Sequence, residues 1–80
     1  MTYIANIIFK GLRVSDLSSI LAGPLVGCYF AEGGAEVIKV ENKLTRGDAT
    51  RTWKLSGEPK ETFYSAYYVA ANFGKKVLML

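Results

Sequence analysis

The sequence predicts an α/β fold with parallel strands. Two short runs rich in apolar and β-branched residues, at positions 12–17 and 35–41, flank an apolar segment that begins at Pro24. A strand, a short helix and a second strand joined by turns of a few residues make a βαβ unit, whose strands are parallel and whose crossover is right-handed. The pattern therefore indicates an α/β domain.

The first strand and helix have clear boundaries in the sequence. The strand at 12–17 lies between Gly11 and a pair of serines, which are typical strand-ending residues. Pro24 suits the first position of a helix, where its missing N–H costs nothing. Residues 25–31 are apolar almost all round, which predicts a helix buried on more than one side, and the glycines at 33–34 end it.

The second strand is followed by a long loop. Lys39 interrupts an otherwise apolar, β-branched run at 35–41. Residues 42–61 show no periodicity, and a loop of about 20 residues inside a small domain is usually functional or disordered. We expect this loop to carry function or to be disordered.

A second helix and a third strand complete the pattern. Residues 62–72 carry aromatic side chains at helical spacing, which predicts a helix, and 77–80 reads as a strand. The lysines before that strand, Lys75 and Lys76, are expected in a solvated turn. Apolar parallel strands need cover on both faces. We therefore expect residues 11–80 to be the N-terminal part of a larger α/β domain, and residues 1–10 to be an extension, either an edge strand or a late-packing leader.

Composition excludes several classes of protein. The 80 residues carry a net charge of +3, one cysteine and no histidine, and their mean hydropathy is +0.16. The basic surplus is too thin for a nucleic-acid binder and fits a small anionic ligand. No run approaches the ~18–20 apolar residues that cross a membrane. We expect a cytoplasmic protein without metal, nucleic-acid or membrane partners, in which Cys28 is buried and inert.

Two places could bind an anion. The turn at 18–24 lies at the carboxyl end of a strand and leads into a helix N-terminus, whose free N–H groups attract anions. The pattern alone favours an ordinary βα turn over an anion site. After the second strand, Lys43, Arg46 and Arg51 could meet phosphates, or the loop could be solvated and held by local hydrogen bonds of Asp48.

No catalytic constellation is visible. The chain lacks histidine, Cys28 has no evident activating base, and the acidic residues form no obvious acid–base pair. Trp53 could stack on a ligand ring or pack under the loop. From the residues alone, the prediction is an α/β piece, and whether either place binds an anion stays open.

An ordered series of short tracts resembles the N-terminal segment of class III CoA transferases, the family of formyl-CoA and carnitine CoA transferases. The tracts cover about residues 11–80 and read GLRVSDLS, LAGP, AEGGAEVIKVE, GD, TR, W, SAYY, N and GKK. The resemblance implies a Rossmann-like large domain, incomplete at 80 residues, in a longer enzyme that forms an interlocked homodimer. It also implies transfer of CoA from an acyl-CoA to a carboxylic acid through an aspartate nucleophile located beyond residue 80. The expected function is therefore the CoA-binding N-terminal part of an acyl-CoA:carboxylate CoA transferase, with no catalytic residue in this chain.

The resemblance also implies which residues contact CoA. Leu21 and Ala22 match the turn that touches the cofactor, Asn42 matches a residue near its nucleotide end, and Leu80 matches a third contact. Formyl-CoA transferases have glutamine in place of Leu21 and arginine in place of Asn42. These differences argue against oxalate–formate chemistry here.

Three alternatives stay open, one of them a plain structural α/β module that binds no CoA. An acyl-CoA racemase has the same fold and moves a proton at the α-carbon. The chain could also be a non-catalytic fragment, or a small subunit that completes the CoA site of a second chain.

Overall fold

Three parallel strands form the centre of the molecule. The structure is a computed structural model and describes residues 7–80. Strands β1 (Arg13–Asp16), β2 (Glu36–Glu41) and β3 (Lys76–Met79) form one sheet in the order β1-β2-β3. Both strand pairs are parallel. The α/β prediction is confirmed, and each strand lies within one residue of its predicted bounds.

Helix α1 (Ala22–Glu32) connects β1 to β2 and packs against both strands. Pro24 is its third residue and is buried, so its placement at the first helical position was wrong by two residues. The first four N–H groups of a helix have no intrahelical partner, and proline is therefore tolerated there. At the other end Gly34 takes a φ of +99°, the left-handed conformation that glycine adopts readily.

Helix α2 (Ala66–Asn72) packs against α1 and is shorter than predicted. The predicted start at residue 62 is wrong, because Ser65 is extended and its Oγ accepts a hydrogen bond from the N–H of Tyr68 at 3.0 Å. A serine that caps a helix in this way fixes its first residue. The aromatic residues Phe63 and Tyr64 therefore precede the helix.

The long loop between β2 and α2 is ordered by its own side chains. Two 3₁₀ turns, Lys43–Thr45 and Ala49–Thr52, lie within it. Asn42 caps the first turn, accepting from the N–H of Leu44 at 2.8 Å, and Asp48 caps the second. The interpretation of Asp48 as a source of local turn hydrogen bonds is confirmed.

Among the described residues, the interior contains more charged side chains than large apolar ones. Val37, Cys28 and Tyr68 are buried, and so are five ionised residues: Asp16, Lys39, Glu41, Asp48 and Arg51. Burial of the Cys28 thiol confirms its prediction; its Sγ lies 3.1 Å from the carbonyl of Ala71. Buried charges require partners, and their pairing organises the site described below.

Residues 7–10 form a turn against α1. The N–H of Phe9 donates to the carbonyl of Gly33 at 2.7 Å, and the Phe9 ring packs on Phe30 with centroids 4.8 Å apart. The predicted extension over 1–10 falls partly outside the described residues, since the description begins at Ile7.

Candidate functional site: a groove at the carboxyl ends of the strands

An open groove lies where the three parallel strands end. It has a volume of about 590 Å³. Its lining comes from the turn after β1, the end of β2, the following loop and the residue after β3: Leu17, Ser18, Ser19, Val40, Glu41, Asn42, Thr45, Gly47, Asp48, Ala49 and Leu80. In open α/β sheets this edge is where ligands bind.

The turn between β1 and α1 forms one side of this groove. Leu21 is the residue before the helix, and no side chain caps it. The first-turn N–H groups that begin at Ala22 can therefore be offered to an anion, which the helix dipole also favours. The predicted anion-binding turn thus has suitable backbone geometry.

The opposite side brings together two predicted CoA contacts that are far apart in sequence. The N–H of Lys43 donates to the carbonyl of Leu80 at 2.6 Å, and the N–H of Leu80 donates to Glu41 at 2.9 Å. These bonds place Leu80 beside Asn42, and both side chains are exposed along the groove.

Leu21 and Ala22 are not among the groove-lining residues. Leu21 lines a separate apolar cleft of about 130 Å³, together with Leu25 and Tyr67. The structure therefore joins Asn42 and Leu80 in one groove, while Leu21 and Ala22 stand at the neighbouring start of α1.

A buried ion pair links the sheet to the loop. Lys39 Nζ lies 2.9 Å from Asp48 Oδ2, and their side chains are 0% and 1% exposed. Burial alone would raise the pKa of Asp48, but hydrogen bonds from Thr50 and Lys39 outweigh it and hold the pKa below its ordinary value. The interpretation of Lys39 as an interruption of the strand missed this partner.

A second buried pair locks the end of β2 to the loop. The Arg51 guanidinium makes two 2.7 Å bonds to the Glu41 carboxylate and lies between the rings of Phe63 and Tyr68. Burial alone would raise the pKa of Glu41, but bonds from Arg51, Tyr68 and the Asp48 N–H lower it. Burial and the Glu41 carboxylate raise the pKa of Tyr68 well above its usual value.

A third buried pair joins β1 to the residue before β3, apart from the groove-lining residues. Lys75 Nζ is 2.7 Å from Asp16 Oδ2, with side-chain exposures of 0% and 5%. It also donates to the carbonyl of Pro24 and to the Asn72 side chain, both at 2.8 Å. The expectation that Lys75 lies in a solvated turn is wrong, because its ammonium group is buried and hydrogen-bonded. Lys76 is exposed, as expected.

These pairs decide which basic residues could meet a phosphate. Arg51 is committed to Glu41, so the interpretation of Arg51 as a phosphate contact is not supported. Lys43 and Arg46 are exposed beside the groove. Trp53 packs edge-on against Tyr67, with centroids 5.2 Å apart, and remains 44% exposed.

The groove has the chemistry of a binding site. The carboxylates that line it, Glu41 and Asp48, are ionised and held by cations and N–H donors. Paired in this way, they are poor nucleophiles and poor general bases. Among residues 7–80 no group of acidic, histidine or cysteine side chains could hold a metal ion. The same stretch contains no helix long and apolar enough to cross a bilayer.

Comparison with known proteins identifies the family. A model of CoA-transferase family III matches residues 9–80, and the chain belongs to this family. The succinate–glutarate CoA-transferase of Agrobacterium fabrum is 43% identical over 73 residues, which are 88% of this chain and 18% of that protein. Human succinyl-CoA:glutarate CoA-transferase is 43% identical over 67 residues, covering 84% of this chain and 14% of the relative. The chain thus spans less than a fifth of the length of these relatives.

Solved structures agree with the fold. A CAIB/BAIF family protein from Brucella suis superposes with a TM-score of 0.73 at 42% identity, covering 92% of this chain and 19% of that one. A hypothetical protein from Mycobacterium tuberculosis gives a TM-score of 0.69 at 37% identity, with 89% and 18% coverage. The βαβ unit described here therefore occurs within longer chains of the same family.

Proposed function

We propose that this chain is the N-terminal, CoA-binding part of an acyl-CoA:carboxylate CoA transferase. The observation that carries the proposal is the groove at the carboxyl ends of β1, β2 and β3, in a chain that belongs to CoA-transferase family III. The relatives named as CoA-transferases support a transferase over a racemase. The substrates proposed are an acyl-CoA and a carboxylic acid.

The chain's part in this reaction is binding. The first turn of α1 offers backbone N–H groups to an anionic portion of CoA, and Lys43 and Arg46 supply positive charge where the resemblance implies the nucleotide end. Asn42, which replaces an arginine of formyl-CoA transferases, contributes no charge of its own. We assign the nucleophilic carboxylate to polypeptide other than residues 7–80, because the groove carboxylates are already paired.

Three further expectations rest on the resemblance and stay predictions. They are an interlocked homodimer, a cytoplasmic location, and a contribution of Leu21, Ala22, Asn42 and Leu80 to the CoA site.

The first test is CoA binding by isothermal titration calorimetry, on the protein as isolated with any polypeptide that accompanies it. Asn42→Asp keeps the oxygen that caps Leu44 and adds one negative charge at the groove. We expect it to weaken CoA binding about fivefold, since two negative charges about 4 Å apart at a water-exposed surface repel by on the order of 1 kcal/mol. The matched control, Ser56→Asp, adds the same charge on an exposed loop away from the groove-lining residues.

The outcomes separate the parts of the proposal. A larger loss for Asn42→Asp than for Ser56→Asp supports a nucleotide at this groove. Equal effects would place CoA elsewhere on the molecule. Absence of CoA binding by the unaltered protein would rule out the proposed function.

A further inference from the structure

The turn between β1 and α1 is held in a conformation that its residues do not favour. Ile20 has a φ of +74°, in the left-handed region. A β-branched residue there is a genuine outlier, and such strain persists only where surrounding groups impose it. The turn is also tightly folded, because a Cβ on Gly23 would clash with the Ser18 side chain.

Two buried side chains from other elements form hydrogen bonds with the backbone of this turn. Lys39 Nζ donates to the carbonyl of Ser18 at 2.9 Å. The N–H of Ile20 points at the Asp48 carboxylate, with its two oxygens at 3.3 and 3.4 Å. The ion pair between Lys39 and Asp48 therefore contacts the turn on both sides of Ser19.

The same ion pair also connects this turn to β2 and to the loop that lines the groove. Asp48 accepts two 2.9 Å hydrogen bonds from Thr50, one from its N–H and one from its hydroxyl. Lys39 belongs to β2, and Asp48 lines the groove from the loop. One buried pair thus joins the β1–α1 turn, the central strand and the loop.

A buried ion pair contributes little to the free energy of unfolding compared with well-packed apolar residues. Replacing a buried ion pair with apolar residues is often neutral or stabilising, because desolvation offsets the attraction. The Lys39–Asp48 pair forms hydrogen bonds with the backbone of a strained turn. Holding that turn in place explains the pair better than a gain in stability does.

We propose that Lys39 and Asp48 are positioning residues that fix the backbone of residues 18–21. The fixed turn orients the first N–H groups of α1 and the adjoining groove wall toward an acyl-CoA. The identity of the ligand rests on the proposed function; the restraint on the turn does not.

The test compares two buried lysines. Lys39→Met removes the hydrogen bond to the Ser18 carbonyl and the cation that pairs with Asp48. Lys75→Met, the matched control, removes an equally buried lysine that contacts Asp16, Pro24, Ala71 and Asn72 but not residues 18–21. Asp16 keeps its own hydrogen bonds to Ser18 in this variant. Amide hydrogen exchange over residues 17–22 and the dissociation constant for CoA are measured for each, on the protein as isolated with any accompanying polypeptide.

We expect Lys39→Met to accelerate exchange in residues 17–22 and to weaken CoA binding about tenfold. Lys75→Met should change CoA binding by less than about twofold at a comparable loss of stability. If Lys39→Met does not fold, Asp48→Asn serves in its place, since it keeps an oxygen for Thr50 and removes the charge.

A second-site variant tests the mechanism. Glycine adopts the left-handed conformation without strain. Ile20→Gly in the Lys39→Met background should therefore restore most of the CoA affinity. Failure of this rescue, or equal effects of the two lysine variants, would overturn the proposal. If the unaltered protein binds no CoA, the proposed function fails, and the exchange rates of residues 17–22 still decide whether the pair holds the turn.

Discussion

Arg51 shows how a single side chain in this fold can be both deeply buried and fully bonded. Its guanidinium satisfies Glu41 bidentately, donates to the hydroxyl of Tyr68, and stacks between two aromatic rings. Hydrogen bonding to Glu41 raises the pKa of Arg51 further. Lysine could supply the charge but not the planar fork.

Truncating Arg51 should be far more harmful than truncating an exposed arginine. Arg51→Leu leaves the Glu41 carboxylate buried without its cation, and we expect a loss of about 3–5 kcal/mol in the free energy of unfolding. Arg13→Leu breaks a pair whose arginine is 83% exposed, and should cost less than about 1 kcal/mol. Urea denaturation of both variants measures the difference. Comparable losses would mean that the Glu41–Arg51 pair is not a main support of the loop.

At the scale of residues, the sequence did not reveal which charged side chains form ion pairs when the two residues lie on different elements. Lys75 and Asp16 are 59 positions apart, and Lys39 and Asp48 come from a strand and a loop. The spacing of residues along the chain does not predict such pairs. Lys39 was therefore interpreted as an interruption of an apolar strand, and Lys75 as part of a solvated turn. Asp48 was interpreted better, because its hydrogen bond to Thr50 is local and follows a common turn pattern.

Between elements, α1 approaches β1 closely at Gly27. This glycine lies inside the helix, where alanine is normally preferred by about 1 kcal/mol. A Cβ at position 27 would lie 2.6 Å from Asp16 Oδ2 and 2.9 Å from Lys75 Cε. The glycine therefore makes room for the ion pair between helix and sheet.

Gly27→Ala should accordingly destabilise the protein despite its better helix propensity. Overpacking against a fixed pair typically costs about 1–3 kcal/mol. Gly57→Ala is the matched control, since its Cβ would meet nothing within 4 Å, and we expect a change of less than about 1 kcal/mol. Thermal unfolding monitored by circular dichroism compares them. A Gly27→Ala protein at least as stable as the unaltered one would show that the pair can move aside.

The elements themselves were largely predictable, whereas their ends were not. Short apolar runs identified all three strands, with β-branched residues prominent in the second, and the apolar segment after the turn identified α1. The start of α2 was misplaced because the aromatic spacing extends upstream of Ser65, although the cap at that serine decides where the helix begins. In the groove, Asn42 and Leu80 were predicted from the resemblance alone, because they are 38 positions apart and no local pattern connects them.

The whole molecule concentrates its buried carboxylates on one side of the sheet. Asp16 and Lys39 are register partners on β1 and β2, and Glu41 lies two residues beyond Lys39 on the same face. Each of the carboxylates Asp16, Glu41 and Asp48 has a pKa below its ordinary value, since paired cations and hydrogen bonds outweigh burial. The free energy of unfolding of the protein therefore depends on pH.

This coupling predicts loss of stability in acid. The ordinary pKa values are 3.8 for Asp16 and Asp48 and 4.5 for Glu41, and the folded values are lower, so the unfolded chain binds more protons as the pH falls. Stability contributed by these groups is complete above the unfolded pKa values and is lost as pH falls through the folded ones. We expect the free energy of unfolding, measured in urea, to be nearly constant from pH 7 to about 5 and to decline below about 4.5. The Lys39→Met/Asp48→Asn double variant lacks one of the three carboxylates and should decline less steeply. Stability that rises between pH 4.5 and 3 would contradict the assignment of these carboxylates as ionised partners in the folded protein.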